Sequence, residues 1–512
     1  MKERNKVHQL IHSLNQGEKR YFKVFASQFS VGESNDFIRL FNAIRLQKEY
    51  NEEKIIRSFK GEKFVSHFSS KKVHLYNGVL RSLRLFHSGK TVDAILMDWL
   101  LSVRLLYNKG LYTHCTSLLN KAKAMAHHYE KFSLILKMLE WERNVVLINP
   151  TNIEHQLKQI NKEKLSVLHH LNTIEKYHEL LDVPIRYIYG HGFIRKKSDL
   201  QKLERMIHHP MLKKNPKSKS FSVLLGYYRT LAAYHVLKRN LNTCFVLRKK
   251  IVELYNSSPH MIGEDIENYI NVNYGLLIIA SEIKNTETIE KTIEQLTHLP
   301  HLLKHPLPPI MEARIFHLQY FYTLRSLVQQ HKFERAADME QIVLKGIEHR
   351  KSSLTPHLKI YLLQELAGAL VFAGKLKNSL RLLNEIMHDK ASEKPHNIMV
   401  TLRMLFLIIH FELSNEELLE YLTKSDERYF IKHKMLYRFE KVMLSSFKKL
   451  ATTTEPDKQK IIFSNLKKEL LLLKNDRFEG TPFVDFDYLL WLESKIKNHP
   501  FAEVLSRKAK LY

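Results

Sequence analysis

A short phrase that closes one helix and opens the next occurs four times in this chain. It reads GLYTHCTSLL from Gly110, RNLNTCFVLR from Arg239, HKFERAADME from His331 and GKLKNSLRLL from Gly374. The starts lie 129, 92 and 43 residues apart, close to three, two and one periods of about 43–46 residues. Self-similarity at such a spacing is typical of stacked helical repeats, in which each unit packs only on its neighbours.

Two positions of the phrase are predicted to hold the helices of each hairpin together. An apolar residue follows the turn residue two places later and acts as a wedge, and a small residue three places further on lets two helices touch. The wedge position holds Tyr112, Leu241, Phe333 and Leu376. The small position holds Cys115, Cys244, Ala336 and Ser379.

The same period predicts four weaker turns, at 149–152, 196–199, 284–287 and 414–417. Each contains residues that can cap a helix, and each precedes an apolar-periodic run. The chain has only 15 Gly and 14 Pro in 512 residues, and no alternating β-branched run indicates a strand. We therefore expect an all-α fold, a right-handed α-solenoid of about eight helical hairpins with a period of about 40–47 residues.

The strong copies resemble the tetratricopeptide repeat, whose turn reads Gly-x-Tyr-x-x-Ala before an amphipathic second helix. The residues that follow this pattern most closely are Gly110, Tyr112, Cys115, Leu119 and Ala122. The period here exceeds that family's 34 residues, and the first-helix Trp-x-x-Leu-Gly signature is absent. The resemblance covers the architecture of residues 92–425 and the motif of four turns. It implies a concave surface, lined by the first helices, that binds a peptide or another protein, and it transfers no binding residues.

Two further segments, LNQGEKRYFKVF near the start and WLESKI near the end, are similar to an uncharacterised family of bacterial helical proteins, which implies no function. The chain is predicted to have three parts: a basic helical module at 1–90, helical repeats at 91–425 and a helical cap at 426–512. Residues 1–90 carry 18 Lys and Arg against 8 Asp and Glu, more than twice the density of net positive charge in the remaining residues. Helices are expected there at 18–28, 36–48, 52–59 and 70–86.

The helix at 70–86 is the sharpest candidate for a binding site. One face is apolar, and the other carries Lys71, Lys72, His74, Asn77, Arg81 and Arg84. A short helix, a loop and a long basic helix follow the order of a helix-turn-helix module, whose last helix enters the DNA major groove. Arg, Asn and Lys suit contacts to base edges and phosphates. A packed helix with a basic outer face gives the same pattern, and the loop at 60–69 is longer than the usual turn.

A second basic segment lies at 208–220. It contains no acidic residue and carries Lys213, Lys214, Lys217 and Lys219, with Arg195, Lys196, Lys197, Lys202 and Arg205 just upstream. Such a cluster can contact several phosphates, and binding would then fall steeply with salt. A solvated loop between repeats accounts for the same residues. The formal net charge of +28 attracts polyanions in either case.

Residues suited to chemistry are few in this chain. The two cysteines occupy the small position of the phrase, so we expect buried packing thiols and a reducing compartment. Histidine pairs at 127–128, 169–170 and 208–209 are expected near helix C-termini, where a charged imidazole complements the helix dipole, and none has metal-ligand spacing. No nucleotide-binding or nucleophile motif is present, and Gly190-His191-Gly192 is predicted to be a turn.

The N-terminus lacks the apolar core of a signal peptide, and no apolar run is long enough to span a bilayer. These features favour a cytoplasmic, non-catalytic interaction scaffold or adaptor, with no cofactor and no metal, that binds a protein partner. The alternative is a nucleic-acid-associated protein that binds DNA or RNA through residues 1–90. The identity of the partner and the oligomeric state stay open at this point.

Overall fold

The computed structural model is helical throughout the part of the chain that it describes, and no strand occurs there. This confirms the all-α prediction. The residues described are 6–28, 34–148, 152–191, 201, 204, 208–303, 306–389, 396–474, 476, 479–480 and 482–497. They divide into two compact units, Met1–Leu171 and Asn172–Tyr512.

The first unit begins with five helices that share one hydrophobic core. They are α1 (Lys6–Ser13), α2 (Gln16–Gln28), α3 (Ser34–Arg45), α4 (Glu52–Ser58) and α5 (Phe68–His87). The helix α5 packs against α1, α2 and α3, and it buries Leu75 and Val79 from the predicted apolar face. A 3-10 turn at Lys63–His67 fills half of the predicted loop, so the connection from α4 to α5 is more ordered than expected.

The rest of the first unit consists of helices joined by short turns. They are α6 (Val92–Asn108), α7 (Tyr112–His128), α8 (Phe132–Ile148) and the first part of α9 (Ile153–His191). The helix α7 packs against both α6 and α8. Gly110 stands between α6 and α7, as the repeated phrase predicts.

The second unit contains a row of two-helix hairpins, preceded by the rest of α9. Its helices are α10 (Pro210–Lys213), α11 (Phe221–Leu237), α12 (Leu241–Asn256), α13 (Pro259–Glu264), α14 (Ile266–Glu282), α15 (Thr286–Leu302), α16 (Pro309–Gln329), α17 (Phe333–Asp338), α18 (Glu340–His349), α19 (Pro356–Phe372), α20 (Leu376–His388), α21 (His396–Glu412), α22 (Glu416–Lys432), α23 (Arg438–Ala451), α24 (Pro456–Lys474), α25 (Pro482–Asp485) and α26 (Tyr488–Lys497).

We call α11, α14, α16, α19 and α21 the first helices, because each is followed by a tight turn and a second helix. The helix α16 packs on both α14 and α19, and α21 packs on α19 and on α23. Successive hairpins are therefore spatial neighbours. Hydrogen bonds join residues about one period apart, such as Arg229 to Asn268 and Arg325 to Glu365.

The turn residue of the phrase adopts the left-handed conformation in every strong copy, with φ between +52° and +73°. After Gly374, the Lys375 N–H donates to the Leu370 carbonyl (2.9 Å) and the Gly374 N–H donates to the Val371 carbonyl (3.0 Å). This is the Schellman arrangement that ends a helix. Arg239 and His331 adopt the same conformation although it disfavours residues with a Cβ. The weaker turns do likewise at Asn152, Lys284 and Ser414.

The small position packs in the same way in three of the four strong copies of the phrase. The Cys115 thiol lies 3.5 Å from the Val103 carbonyl oxygen, and the Cys244 thiol lies 3.6 Å from that of Ala232. The Ser379 hydroxyl donates to the Ala367 carbonyl over 2.8 Å. Each partner lies twelve residues earlier in the first helix of the hairpin. Both cysteines are buried and free, which confirms that they are packing thiols.

The wedge position is less uniform than the small one. Phe333 is buried and stacks on Phe372 with 5.2 Å between ring centroids. Tyr112, Leu241 and Leu376 are only half-buried. Ala336, at the small position of the same copy as Phe333, is fully buried.

The helix α9 departs from the repeat. A period of about 45 residues implies a break between 152 and 197, yet residues 153–191 form one continuous helix that includes Pro184. Straight-chain residues sustain the helix, and proline removes one backbone hydrogen bond without ending it. The prediction of a turn at Gly190-His191 was therefore wrong, since both residues are helical; the predicted turn at 196–199 lies outside the described residues.

The histidine pairs also differ from expectation. His127 and His128 end α7, as predicted. The pair at 169–170 lies in the middle of α9, and the pair at 208–209 precedes α10, where His209 caps the N-terminus. For the pair at 169–170, the error has the same origin as the missing break, because a strict period places a helix end where α9 continues.

Candidate functional site

The exposed face of α5 carries four of the six residues singled out in that helix. His74, Asn77, Arg81 and Arg84 are exposed. Their spacings of three, four and three residues place them on one stripe about 15 Å long. Arg81 also lies over the Phe25 ring, with 6.0 Å between the guanidinium carbon and the ring centroid.

Lys71 and Lys72 have structural contacts instead. The Lys72 ammonium lies 2.5 Å from Glu52 Oε2, with only 15% of its side chain exposed. The Lys71 ammonium lies over the Phe37 ring at 5.4 Å. Lys72 thus joins α5 to α4, and its charge is already paired within the first unit.

The lysines of the segment at 208–220 are exposed, as the sequence predicts. Lys213 ends the short helix α10, and Lys214, Lys217 and Lys219 follow in non-helical backbone. All four are exposed. The upstream candidates Arg195, Lys196, Lys197, Lys202 and Arg205 lie outside the described residues.

The basic region extends well beyond that segment. Residues 208–256, which include the hairpin α11–α12, carry ten Lys and Arg against one acidic residue, Glu253. Lys238 pairs with Glu204 (3.4 Å), and Arg239 pairs with Glu282 (3.6 Å). The sequence patterns predicted the basic lysine segment but not the excess of basic residues over the whole hairpin. A charge count over each predicted hairpin, rather than over each loop, would have found it.

Two arginines of this hairpin lie inside the unit. Arg229 of α11 is half-buried, and its Nη1 donates to Asn268 Oδ1 over 3.0 Å. Arg248 of α12 lies across α14 at Gly275, where a Cβ would fall 2.6 Å from Arg248 Nη1. Burial lowers the pKa of Arg229, and the charge of Arg248 lowers it further, while Tyr255 and Asp265 oppose the shift.

A short segment of the chain, residues 482–486, lies against the first helices α16, α19 and α21. The Asp485 carboxylate is 3.8 Å from Arg325 Nη2 and accepts a hydrogen bond from the Thr401 hydroxyl (3.3 Å). Phe486 stacks on Phe372 with 4.6 Å between ring centroids and 13° between ring planes. Part of the surface implied by the tetratricopeptide resemblance is therefore covered by the chain itself.

Several aromatic residues on the first helices belong to the hydrophobic core. Tyr227, Tyr234 and Tyr322 are buried. Tyr274 on α14 differs, since 40% of its surface is exposed although its ring lies 6.4 Å from that of Tyr322. It is a large side chain of the first helices that remains exposed.

Neither a metal centre nor a membrane span emerges from the described part of the chain. No group of three or more His, Cys, Asp or Glu side chains converges there as a metal site would require. None of the helices described combines the length and the apolarity needed to cross a bilayer. Comparison with protein-family models, curated proteins and solved structures gives no match.

Proposed function

We propose that this chain is a non-catalytic interaction protein, a right-handed α-solenoid of about eight hairpins whose first helices bind a segment of a protein partner. In this proposal the chain acts as a scaffold or adaptor in the cytoplasm. Its free, buried cysteines suit a reducing compartment. The hydrogen bonds between residues one period apart support the stacked arrangement.

The observation that carries the proposal is the contact between the first helices and residues 482–486. That segment offers a carboxylate, Asp485, and an aromatic ring, Phe486, and the first helices receive them with Arg325 and Phe372. A surface that holds one such segment has the chemistry to hold another: buried arginine for charge and aromatic rings for stacking. Farther along the same row, Tyr274 is exposed.

Site-specific photo-crosslinking tests this proposal. A photoreactive phenylalanine analogue is placed at Tyr274 on the first helix α14 or, as the matched control, at Tyr421 on the second helix α22, which is 62% exposed. In nuclease-treated lysate of the source cells we expect a discrete protein adduct from position 274 and none from position 421. Equal adducts at both positions would contradict the proposal, and so would an adduct that nuclease removes.

Nucleic-acid binding through α5 is the second candidate, because His74, Asn77, Arg81 and Arg84 form one exposed stripe. Phosphate contacts release counterions, so each lost contact reduces the slope of log K against log salt by about 0.9. For the full-length Arg81→Ala/Arg84→Ala variant we expect about tenfold weaker binding to duplex DNA or RNA, and a slope smaller by about 2.

The control for charge is the Lys54→Ala/Arg57→Ala variant on α4. Both residues are exposed, and Arg57 pairs only at the surface with Glu53, 3.5 Å away. The change in net charge equals that of the α5 variant. If both variants weaken binding equally, general attraction explains the affinity and α5 has no special part in it.

A further inference from the structure

The helix α6 of the first unit carries large apolar side chains on two opposite faces. One face packs against α7 and α8 and buries Leu96 and Val103. The opposite face leaves Met97, Leu101 and Leu105 exposed to 55%, 62% and 63% of their surface. A helix that is apolar all round is normally buried on all sides, so the second face of α6 lacks the cover that its composition predicts.

The three exposed side chains form one ridge along the helix. They recur every four residues, so they lie on the same side of α6 over a length of about 12 Å. No other helix in the described part of the chain exposes three large apolar side chains at consecutive spacings of four. Single exposed apolar residues are normal on a protein surface, whereas a contiguous row of them indicates an interaction surface.

Two residues of opposite charge flank this ridge at equal distances from its centre. Asp98 lies three residues before Leu101, and Arg104 lies three residues after it. Both are exposed, and the described residues supply neither with an ion pair. They do not pair with each other, because a separation of six residues places them about 120° apart around the helix axis. The ridge therefore has an acidic residue on one side and a basic residue on the other.

This arrangement is complementary to a second copy of itself. Consider two α6 helices that pack antiparallel about a two-fold axis at Leu101. Met97 of each copy then lies level with Leu105 of the second copy, so apolar side chains face each other along the whole ridge. Asp98 of each copy likewise lies level with Arg104 of the second copy, which brings opposite charges together twice and keeps like charges farther apart. An unrelated protein would have to match this pattern by chance, whereas a second copy matches it by symmetry.

We propose that this chain forms a homodimer through the exposed face of α6, with Leu101 on the two-fold axis and two Asp98–Arg104 ion pairs between the copies. Three side chains from each copy bury less than the roughly 1,200 Å² of a standard interface. We therefore expect a reversible dimer, with a dissociation constant on the order of 10 µM. This dimer does not depend on whether the first helices bind a protein.

Charge exchange across the interface tests this proposal, with sedimentation velocity of the full chain at about 1–100 µM as the measurement. Asp98→Arg and Arg104→Asp should each weaken self-association at least tenfold, because each places like charges at both contacts. An equal mixture of these two single variants should form dimers again. One copy then supplies two arginines and the other two aspartates, so both ion pairs return. A variant that fails to fold cannot give this recovery.

The matched control is Glu154→Arg on α9, which makes the same change in charge as Asp98→Arg at an exposed position outside the ridge. It should leave the dissociation constant within twofold of the wild type. A wild-type chain that stays monomeric up to about 100 µM would overturn the proposal. So would a dimer that Asp98→Arg leaves intact, or a mixture of the two variants that stays monomeric.

Disulfide trapping provides a second measurement. Because Leu101 lies on the proposed two-fold axis, two Leu101→Cys copies should form an intermolecular disulfide under mild oxidation. The native Cys115 and Cys244 are buried and do not compete. Leu165→Cys on α9 is the control, since Leu165 is 68% exposed but lies outside the ridge. Cross-linking at equal rates in the two variants would contradict a specific contact at Leu101.

Discussion

Replacing Arg325 with leucine is expected to lower the free energy of unfolding by about 3–5 kcal/mol. The Arg325 guanidinium donates to Glu365 from Nε (3.0 Å) and Nη2 (2.5 Å), and the two side chains are only 12% and 9% exposed. It also faces Asp485, at 3.8 Å. Leucine would leave the Glu365 carboxylate buried without its counter-charge. Urea denaturation followed by far-UV circular dichroism measures the change.

Two comparisons make this prediction specific. Arg381→Leu removes an arginine that is 57% exposed from its pair with Glu340. We expect it to lower the free energy of unfolding by less than about 1 kcal/mol. Arg325→Leu combined with Glu365→Leu should recover most of the lost stability, because the two buried charges then disappear together. A loss below 1 kcal/mol in Arg325→Leu would show that the pair does not organise this face.

Replacing His317 with phenylalanine is expected to remove much of the acid sensitivity of the second unit. His317 is buried against Phe321, at 5.4 Å between ring centroids, and both ring nitrogens lack partners among the described residues. Burial, His357 and Arg314 lower the pKa of His317 to about 3. The folded state thus holds a neutral imidazole that the unfolded chain protonates below its usual pKa of about 6.5.

The direction of the pH dependence follows from this difference. The stability that comes from a neutral His317 is fully present above pH 6.5 and is lost as the pH falls towards 3, by about 4–5 kcal/mol over the whole interval. Asp426 acts in the opposite direction, because burial raises its pKa to about 6, so its contribution is lost as the pH rises. Asp426 contributes equally to the stability of both proteins, so comparing His317→Phe with the wild type at each pH cancels its contribution.

We therefore expect the variant to be about 1–2 kcal/mol more stable than the wild type at pH 7, since two unbonded polar atoms disappear, and the advantage to grow as the pH falls from 6 to 4. Denaturant unfolding at a series of pH values measures it. An advantage that stays constant with pH would mean that His317 does not titrate as its burial implies.

The repeated phrase shows which structural features can be predicted from the local sequence. Gly110 and Gly374 start a turn because the left-handed conformation suits a residue without a Cβ, and Cys115 and Ser379 are small because two helices meet there. Both inferences rest on neighbours in the chain, so they transferred correctly to Cys244. The same period failed at α9, where residues 153–191 form one helix that continues through Pro184, a residue that usually kinks or ends a helix.

The candidate sites likewise include features that the local sequence predicts and features that it does not. Helical periodicity on one helix predicts the exposure of His74, Asn77, Arg81 and Arg84. It does not predict the ion pair of Lys72, because the partner Glu52 belongs to a different helix. Residues 482–486 were expected in a terminal cap, and nothing in their own sequence indicates that Asp485 faces Arg325.

By itself, the sequence determined the all-helical fold, the turns of the phrase and the packing of both cysteines. These follow from backbone conformation, hydrogen bonds that span five residues and helical periodicity, all of which act over short stretches of chain. Only the tertiary structure decided which charges are compensated. Arg325 meets the Glu365 carboxylate while Arg229 meets the uncharged amide of Asn268, and that difference depends on which helices become neighbours rather than on the residues beside each arginine in the chain.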